Sequence, residues 1–307
     1  MHNYLVELHQ CTTAGRLNFN ILLDASDQLI ATTECEVIDF KRQPPTTDSE
    51  YAKLARDLVA LHNSYGGFIV FGIEESIKDR KFELVGINEE SIKIDKLRSF
   101  IRNYTNFDIR ISTQTHAVKS FNIEAIWVVK RTHGDSPIRF AKNGPDDAPR
   151  KPCFKRGEVV FRRMESNAIA ESAEDYDFLY SSRRPPSLDL SVSDLAEEEP
   201  IEHNLPDRSL VCSRFVGRRE DLADLWEWLS DDFSRVRLVA GEGGLGKTSL
   251  AYRFAEEVAS RRVRPFDHVV WLSAKKKQFI PSENAHRENR NVDFSDAESP
   301  RVRQLRA

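Results

Sequence analysis

The run Gly241-Glu242-Gly243-Gly244-Leu245-Gly246-Lys247-Thr248 constrains this chain more than any other stretch. Its glycines let the backbone turn tightly, so that successive N–H groups converge on one point. The apolar run Val236 to Ala240 before it predicts a buried strand. After it, Leu250, Ala251, Phe254 and Val258 recur on one helical face. Strand, glycine loop and helix together form a cradle for nucleotide phosphates, helped by the positive end of the helix. Gly241, Gly243, Gly244, Leu245, Gly246, Lys247, Thr248 and Ser249 therefore make up an expected ATP/ADP site. In it Lys247 faces the phosphates and the Thr248 hydroxyl ligates Mg²⁺.

At 307 residues with 40% hydrophobic content, the chain is long enough for two ordinary domains with buried cores. No apolar run approaches the roughly 18 to 20 residues needed to span a membrane. The start, Met1-His2-Asn3-Tyr4, lacks the basic and apolar regions of a signal peptide. Cys11, Cys35, Cys153 and Cys212 stand far apart, without a CxxC pair or a histidine cluster. They read as reduced thiols of a cytoplasmic protein, and no zinc site is expected.

Charge is segregated. Lys119 to Arg163 holds 11 Lys/Arg against 5 Asp/Glu, whereas Glu171 to Arg208 holds 3 against 11. The basic stretch suits a polyanion such as nucleic acid, DNA or RNA, and the acidic one suits a solvated linker. Contact between the two stretches would explain the pattern equally well.

Along residues 1–168 the pattern is α/β. Ile21 to Leu23 and Leu29-Ile30 suggest early strands, and Glu34 to Phe40 alternates like a half-buried strand. Tyr51 to Tyr65 predicts a helix, with Leu54, Ala55, Leu58 and Leu61 on one face, Asp48 or Ser49 as cap and Gly66-Gly67 as stop. Phe68 to Ile73 is the apolar run of a central strand. A helix over Ser91 to Tyr104 and strands near Phe107 to Ser112, Ile123 to Lys130 and Val159 to Arg162 complete the unit. Residues 169–208 read as an acidic, proline-bearing linker. Residues 209–280 form the module around the glycine loop, with a helix over Arg219 to Leu229 and a second strand over Val269 to Leu272. Residues 281–307 lack periodicity and are expected to be disordered.

Phe215-Val216-Gly217-Arg218-Arg219-Glu220, the glycine loop continuing into Ser249-Leu250-Ala251, and Phe266-Asp267-His268-Val269-Val270-Trp271 together resemble the NB-ARC type of STAND NTPase. The resemblance covers about Ser209 to Phe279. It implies that Val216 and Arg218 lie against the nucleotide, and that ADP and ATP states switch the protein between a held form and a homo-oligomer. No apolar strand ending in acidic residues follows Leu272. Little or no nucleotide hydrolysis is therefore expected, and the chain reads as the front part of a longer protein.

A second resemblance rests on four pieces in order. They are Glu34-Cys35-Glu36-Val37-Ile38-Asp39-Phe40-Lys41, then Leu61-His62-Asn63-Ser64-Tyr65-Gly66-Gly67, then Phe68 to Glu75, and finally Cys153 to Gly157 with Phe161-Arg162-Arg163. These are similar to the Schlafen AlbA-2 domain, over about residues 30–168. The resemblance implies nucleic-acid binding and, in some members, RNA cleavage by three carboxylates, which map to Glu34, Asp39 and Glu75 with Lys41 beside them. A Mg²⁺ or Mn²⁺ between those carboxylates would polarise a phosphodiester, and Lys41 would stabilise the developing charge. Asp39 departs from the family's usual Glu, which shortens its reach.

The expected fold class is α/β, with an α+β Schlafen AlbA-2-like domain first and an incomplete P-loop module with parallel strands at the C-terminal end. The leading expectation is a nucleotide switch whose N-terminal domain binds, and in the catalytic case cuts, nucleic acid in bacterial antiviral defence. A nucleotide-responsive DNA-binding regulator and a remnant with a non-hydrolysing P-loop stand beside it.

Overall fold

A computed structural model describes residues 4–23, 34–76, 81–88, 91–118, 120–148, 151–181, 200–212, 215–231, 234–273, 277–280 and 285–288. It divides into two compact units, Met1–Leu195 and Ala196–Ala307.

The first unit opens with helix α1 (Tyr4–Ala14) and a 3-10 turn at Phe19–Ile21, where the sequence suggested a strand. Leu29-Ile30 lies outside the described residues. Then follow β1 (Ile38–Lys41), α2 (Asp48–Asn63), β2 (Gly67–Phe71), β3 (Ile73–Ser76), β4 (Lys81–Leu84) and α3 (Ile94–Thr105). The unit closes with β5 (Ile111–Val118), β6 (Phe121–Val128), β7 (Asp146–Ala148), β8 (Lys151–Pro152), β9 (Val160–Arg163), β10 (Ser166–Ile169) and α4 (Ala173–Tyr180).

Four strands form the main sheet in the order β1-β2-β6-β5. β1 and β2 are parallel because α2 carries the chain back between them, whereas β2–β6 and β5–β6 are antiparallel. β2 is covered on both faces, which explains its continuous apolar run. Ile69 and Phe71 pack with Leu54, Leu58, Leu61, Leu97 and Ile101 of the helices. Phe68 and Val70 point the other way, into a cluster with Leu8, Leu17, Phe19 and Trp127. The Trp127 indole donates to Thr12 O at 2.8 Å and so fastens α1 to that second face.

The α2 cap is Thr47, which forms a capping box with Glu50, rather than Asp48 or Ser49. At its other end Asn63 is fully buried and works as a clamp. Its amide donates to Ile138 O and Val160 O and accepts from Ile138 N, each at 2.8 Å. Ser64 exchanges hydrogen bonds with the Arg162 backbone at 2.7 and 3.2 Å. Gly67 follows at φ 146°, where an added Cβ would stand 2.3 Å from Val37 O. The Asn-x-x-Gly-Gly segment is thus the joint at which α2, β1 and β9 meet.

In the second unit, β11 (Glu202–His203), α5 (Arg208–Val211), α6 (Arg219–Leu229), α7 (Lys247–Ser260) and β12 (His268–Val269) precede a hairpin of β13 (Lys277–Ile280) and β14 (Ala285–Glu288). β14 falls within residues 281–307, expected to be disordered, of which 281–284 and 289–307 lie outside the described ones. Trp226 and Phe254 pack edge to face between α6 and α7, ring centres 4.9 Å apart.

Two boundaries differ from the sequence reading. α4 belongs to the first unit, and residues 200–204 belong to the second, where β11 pairs in parallel with β12. The buried strand expected at Val236 to Ala240 is not formed: Val236 and Leu238 are 80% and 84% exposed. A strand needs a hydrogen-bonded neighbour, and β12 has taken β11 instead. The parallel sheet of a P-loop module is therefore not present among the described residues, and the class is mixed α and β with several small sheets. No helix among those residues is long and apolar enough to cross a membrane.

Candidate functional site

β1 does not begin at Glu34. The chain turns between Cys35 and Ile38, whose backbone groups pair at 3.1 Å, and only then becomes extended. That turn folds Glu34 back along the strand, where its Oε1 accepts from Phe40 N at 2.8 Å. Alternation along a straight strand would have set Glu34 and Asp39 on opposite faces. The turn brings them together.

Asp39 is 4% exposed and sits between two cations of the chain itself. Arg162 Nη1 is 2.9 Å from Oδ1, and the Lys41 ammonium is 2.7 Å from Oδ2. The second approach is a charge contact rather than a well-angled hydrogen bond, since Oδ2 lacks a partner of good geometry. Arg162, itself buried, also reaches the carbonyls of Cys35 and Ile38 at 3.4 Å and so holds the turn. Lys41 continues to Asp57 of α2 at 3.4 Å, and Asp57 accepts from Asn167 of β10 at 2.7 Å.

The cluster thus holds three carboxylates and two cations. Burial raises the Glu34 pKa, reinforced by Asp39 and opposed by the Phe40 N–H. Burial likewise raises Asp57, against the pull of Lys41. For Lys41, burial favours the neutral amine, but Asp57 and Asp39 outweigh it and hold the ammonium above its usual range.

Glu75 stands elsewhere, exposed on β3 opposite Phe82 of β4. Among the described residues no three His, Cys, Asp or Glu side chains are grouped to hold a metal ion. The arrangement does not fit a three-carboxylate metal centre of Glu34, Asp39 and Glu75. The sequence reading missed Asp57, Arg162 as a structural ion, and Asn167. Asp57 carried a signal, being three residues beyond Leu54 and four before Leu61 on the apolar face of α2.

The basic stretch is not one face. Arg131 is buried and its guanidinium donates to the carbonyls of Asp135 and Leu179, with burial lowering its pKa to about 10. Arg162 is inside the cluster above, and Arg163 pairs with Asp175 of the acidic stretch. Lys142 is exposed and donates to Asn103 at 2.5 Å, and Lys151 and Lys155 are exposed beside it in sequence. Lys119 and Arg150 lie outside the described residues.

In the second unit the glycine loop has the backbone its residues demand. Gly244 and Gly246 take φ 82° and 72°, and α7 begins at Lys247. Lys247 Nζ donates to Gly241 O at 2.8 Å and Glu242 O at 2.5 Å. Arg218, at φ 57° before α6, donates to Leu245 O at 2.9 Å and pairs with Asp221 at 2.8 Å. Of the two residues expected to lie against the nucleotide, Arg218 touches the glycine loop through Leu245 O and Val216 is 70% exposed. Thr248 and Ser249 lie in the first turn of α7. An added Cβ at Gly243 or Gly244 would meet nothing within 4 Å, so the loop faces open space.

Residues 34–170 match the family model described as Schlafen, AlbA_2. No curated protein matches the chain. Among solved structures, the DIP2311 protein from Corynebacterium diphtheriae is 16% identical with a TM-score of 0.39, the match covering 64% of this chain and 34% of that one. This chain therefore spans about a third of that protein's length. The N-terminal domain of a protein from Nitrosomonas europaea, described as related to the ATP-dependent DNA helicase RecG, is 19% identical with a TM-score of 0.28. That match covers 41% of this chain and 81% of the other. At such scores neither likeness bears on what this chain does.

Proposed function

We propose that the first unit binds nucleic acid without cutting it, and that the second binds ATP or ADP with Mg²⁺ and makes that binding nucleotide-dependent. One observation carries the choice of binding over cleavage: both oxygens of Asp39 face cations of the chain, Arg162 at 2.9 Å and Lys41 at 2.7 Å. A carboxylate held this way would have to leave a buried ion pair before it could bridge a metal and a phosphodiester. Glu34, Asp39 and Lys41 then fix the end of β1 instead of performing chemistry.

Nucleic-acid binding is supported by the Schlafen, AlbA_2 match over residues 34–170. Exposed cations such as Lys142, Lys151 and Lys155 would add salt-sensitive, sequence-tolerant phosphate contacts. At the P-loop, the backbone N–H groups of Gly243 to Ser249 and Lys247 would hold the phosphates, and Thr248 would ligate Mg²⁺. Lys247 would exchange the Gly241 and Glu242 carbonyls for phosphate oxygens, and Arg218 would brace the loop through Leu245 O. Such a protein suits a defence sensor or a transcriptional regulator.

The test is incubation of the full chain with labelled tRNA, single-stranded RNA and duplex DNA, in Mg²⁺, Mn²⁺ or EDTA, with and without ATP. Intact substrate, binding that survives EDTA, and an affinity changed by ATP support the reading. Metal-dependent cleavage lost in a Glu34→Ala/Asp39→Ala variant overturns it in favour of a nuclease.

A further inference from the structure

Beyond the end of β1, away from the Asp39 cluster, the first unit has a cleft of about 170 Å³. Three separate segments form it: the loop after β1 with Gln43 and Pro44, the start of α2 with Tyr51, and the approach to α3 with Asn88, Lys93 and Lys96. The walls are tied before any ligand arrives. Gln43 donates to Gly86 O at 2.9 Å and accepts from Asn88 N at 3.0 Å, so its amide staples one wall to the other. Lys93 N donates to the Tyr51 hydroxyl at 3.3 Å, and Ile92 N donates to the buried Glu124 carboxylate at 3.1 Å.

The lining combines the apolar rings of Pro44 and Pro45 with two lysines three residues apart in sequence, Lys93 and Lys96. Lys96 lies 4.3 Å above the Tyr51 ring and 2.8 Å from Asp48, whose side chain is 75% exposed. So exposed a pair is weak and salt-screened, and a phosphate replaces it readily. Lys93 is exposed and also lines the cleft. A notch braced by hydrogen bonds and lined by two prolines and two lysines matches a planar ring joined to an anion.

We propose that this cleft is a nucleoside-phosphate subsite, with Lys93 and Lys96 on the phosphate and the Pro44–Pro45 wall against the base or sugar. The occupant is one unit of a nucleic-acid strand or a free nucleotide. The inference rests on the nucleic-acid reading above and adds where the strand crosses the unit.

The experiment compares the full chain with a Lys93→Gln/Lys96→Met variant, in which the Met keeps the apolar stem over Tyr51 while its charge is removed. An Arg98→Gln/Arg102→Gln variant, which removes two exposed charges of α3 that do not line the cleft, serves as control, and thermal melting checks that each is folded. Binding of a labelled single-stranded 12-mer is followed by fluorescence anisotropy from 50 to 200 mM salt. AMP binding is followed by calorimetry in a Lys247→Ala background that silences the P-loop.

The expected result is an affinity loss of roughly tenfold in the cleft variant, with a salt slope smaller by about 1.4, from 0.7 per lost phosphate contact on a single strand. A strand bound by the parent protein and equally by the cleft variant overturns the subsite while leaving the nucleic-acid reading intact. AMP bound in a Lys93/Lys96-dependent way without any strand binding supports the subsite for a free nucleotide and removes the nucleic-acid reading. Neither ligand bound overturns both.

Discussion

The Asp39 cluster and the glycine loop are both built around a lysine, and they use it in opposite ways. Lys41 is fixed between Asp39 and Asp57, carboxylates delivered by a strand and a helix, and its charge completes a network around the buried Asp39. Lys247 rests on two carbonyls of its own loop, with Gly241, Gly243 and Gly244 exposed around it. Ion pairs in the first case cannot part without leaving a charge in the protein interior. Neutral carbonyl contacts in the second part at little cost, because water or phosphate takes their place. A lysine in a motif is thus an anchor or a hand according to what already holds it.

The sharpest way to break this contrast is Arg162→Ala. It leaves Asp39 buried without its guanidinium and should cost about 3–5 kcal/mol in urea unfolding of the first unit. A further Asp39→Leu change should recover much of that loss, and a double variant as unstable as the single one would mean the pair is not the source. Gly67→Ala comes next, because its Cβ would enter the space of Val37 O, 2.3 Å away. Its loss should exceed the roughly 1 kcal/mol expected of Gly244→Ala, where left-handed backbone is strained but space is open. Equal losses at the two glycines would erase the distinction between a packed joint and an open loop.

A gentler test is pH. The Glu34 pKa is raised in the folded protein above 4.5, so the folded state binds its proton more tightly than the unfolded chain does. That contribution is complete below the unfolded pKa and is lost as pH rises through the folded value. Melting temperature of the first unit should fall over this window, with Asp57 adding a slope of the same sign. Glu34→Gln keeps an acceptor for Phe40 N and should flatten the profile in part, and an unchanged profile would place the titration elsewhere. Smallest in its effect on folding is Lys247→Ala: unfolding of both units should stay within about 0.5 kcal/mol of the parent. Nucleotide binding, followed by fluorescent ATP displacement, should be lost.

Local patterns were legible in the amino-acid order because local physics governs them. α2 shows its apolar face every three or four residues, β2 its unbroken apolar run, and the glycine loop has Gly241, Gly244 and Gly246 where the backbone takes positive φ. Partners distant in sequence were not legible. Asp39 and Arg162 are brought together by the Asn63 clamp and by a turn at Cys35–Ile38 that no periodicity announces. Arg162 and Arg131 looked like phosphate contacts because composition counts charge without knowing which side chains face inward. The strand at Val236 to Ala240 failed for the complementary reason: an apolar run expresses a preference for burial, but a sheet must supply the neighbour.

That unpaired run has a consequence for how the protein behaves when concentrated. Reading Arg235-Val236-Arg237-Leu238-Val239-Ala240, it places charged and apolar residues in turn, with both arginines exposed. An extended apolar segment in solvent is a template for self-association, and flanking charges act as gatekeepers by making like copies repel. By that reasoning an Arg235→Ser/Arg237→Ser variant should scatter light at lower concentration than the parent, and equal scattering would show that the two charges do no such work.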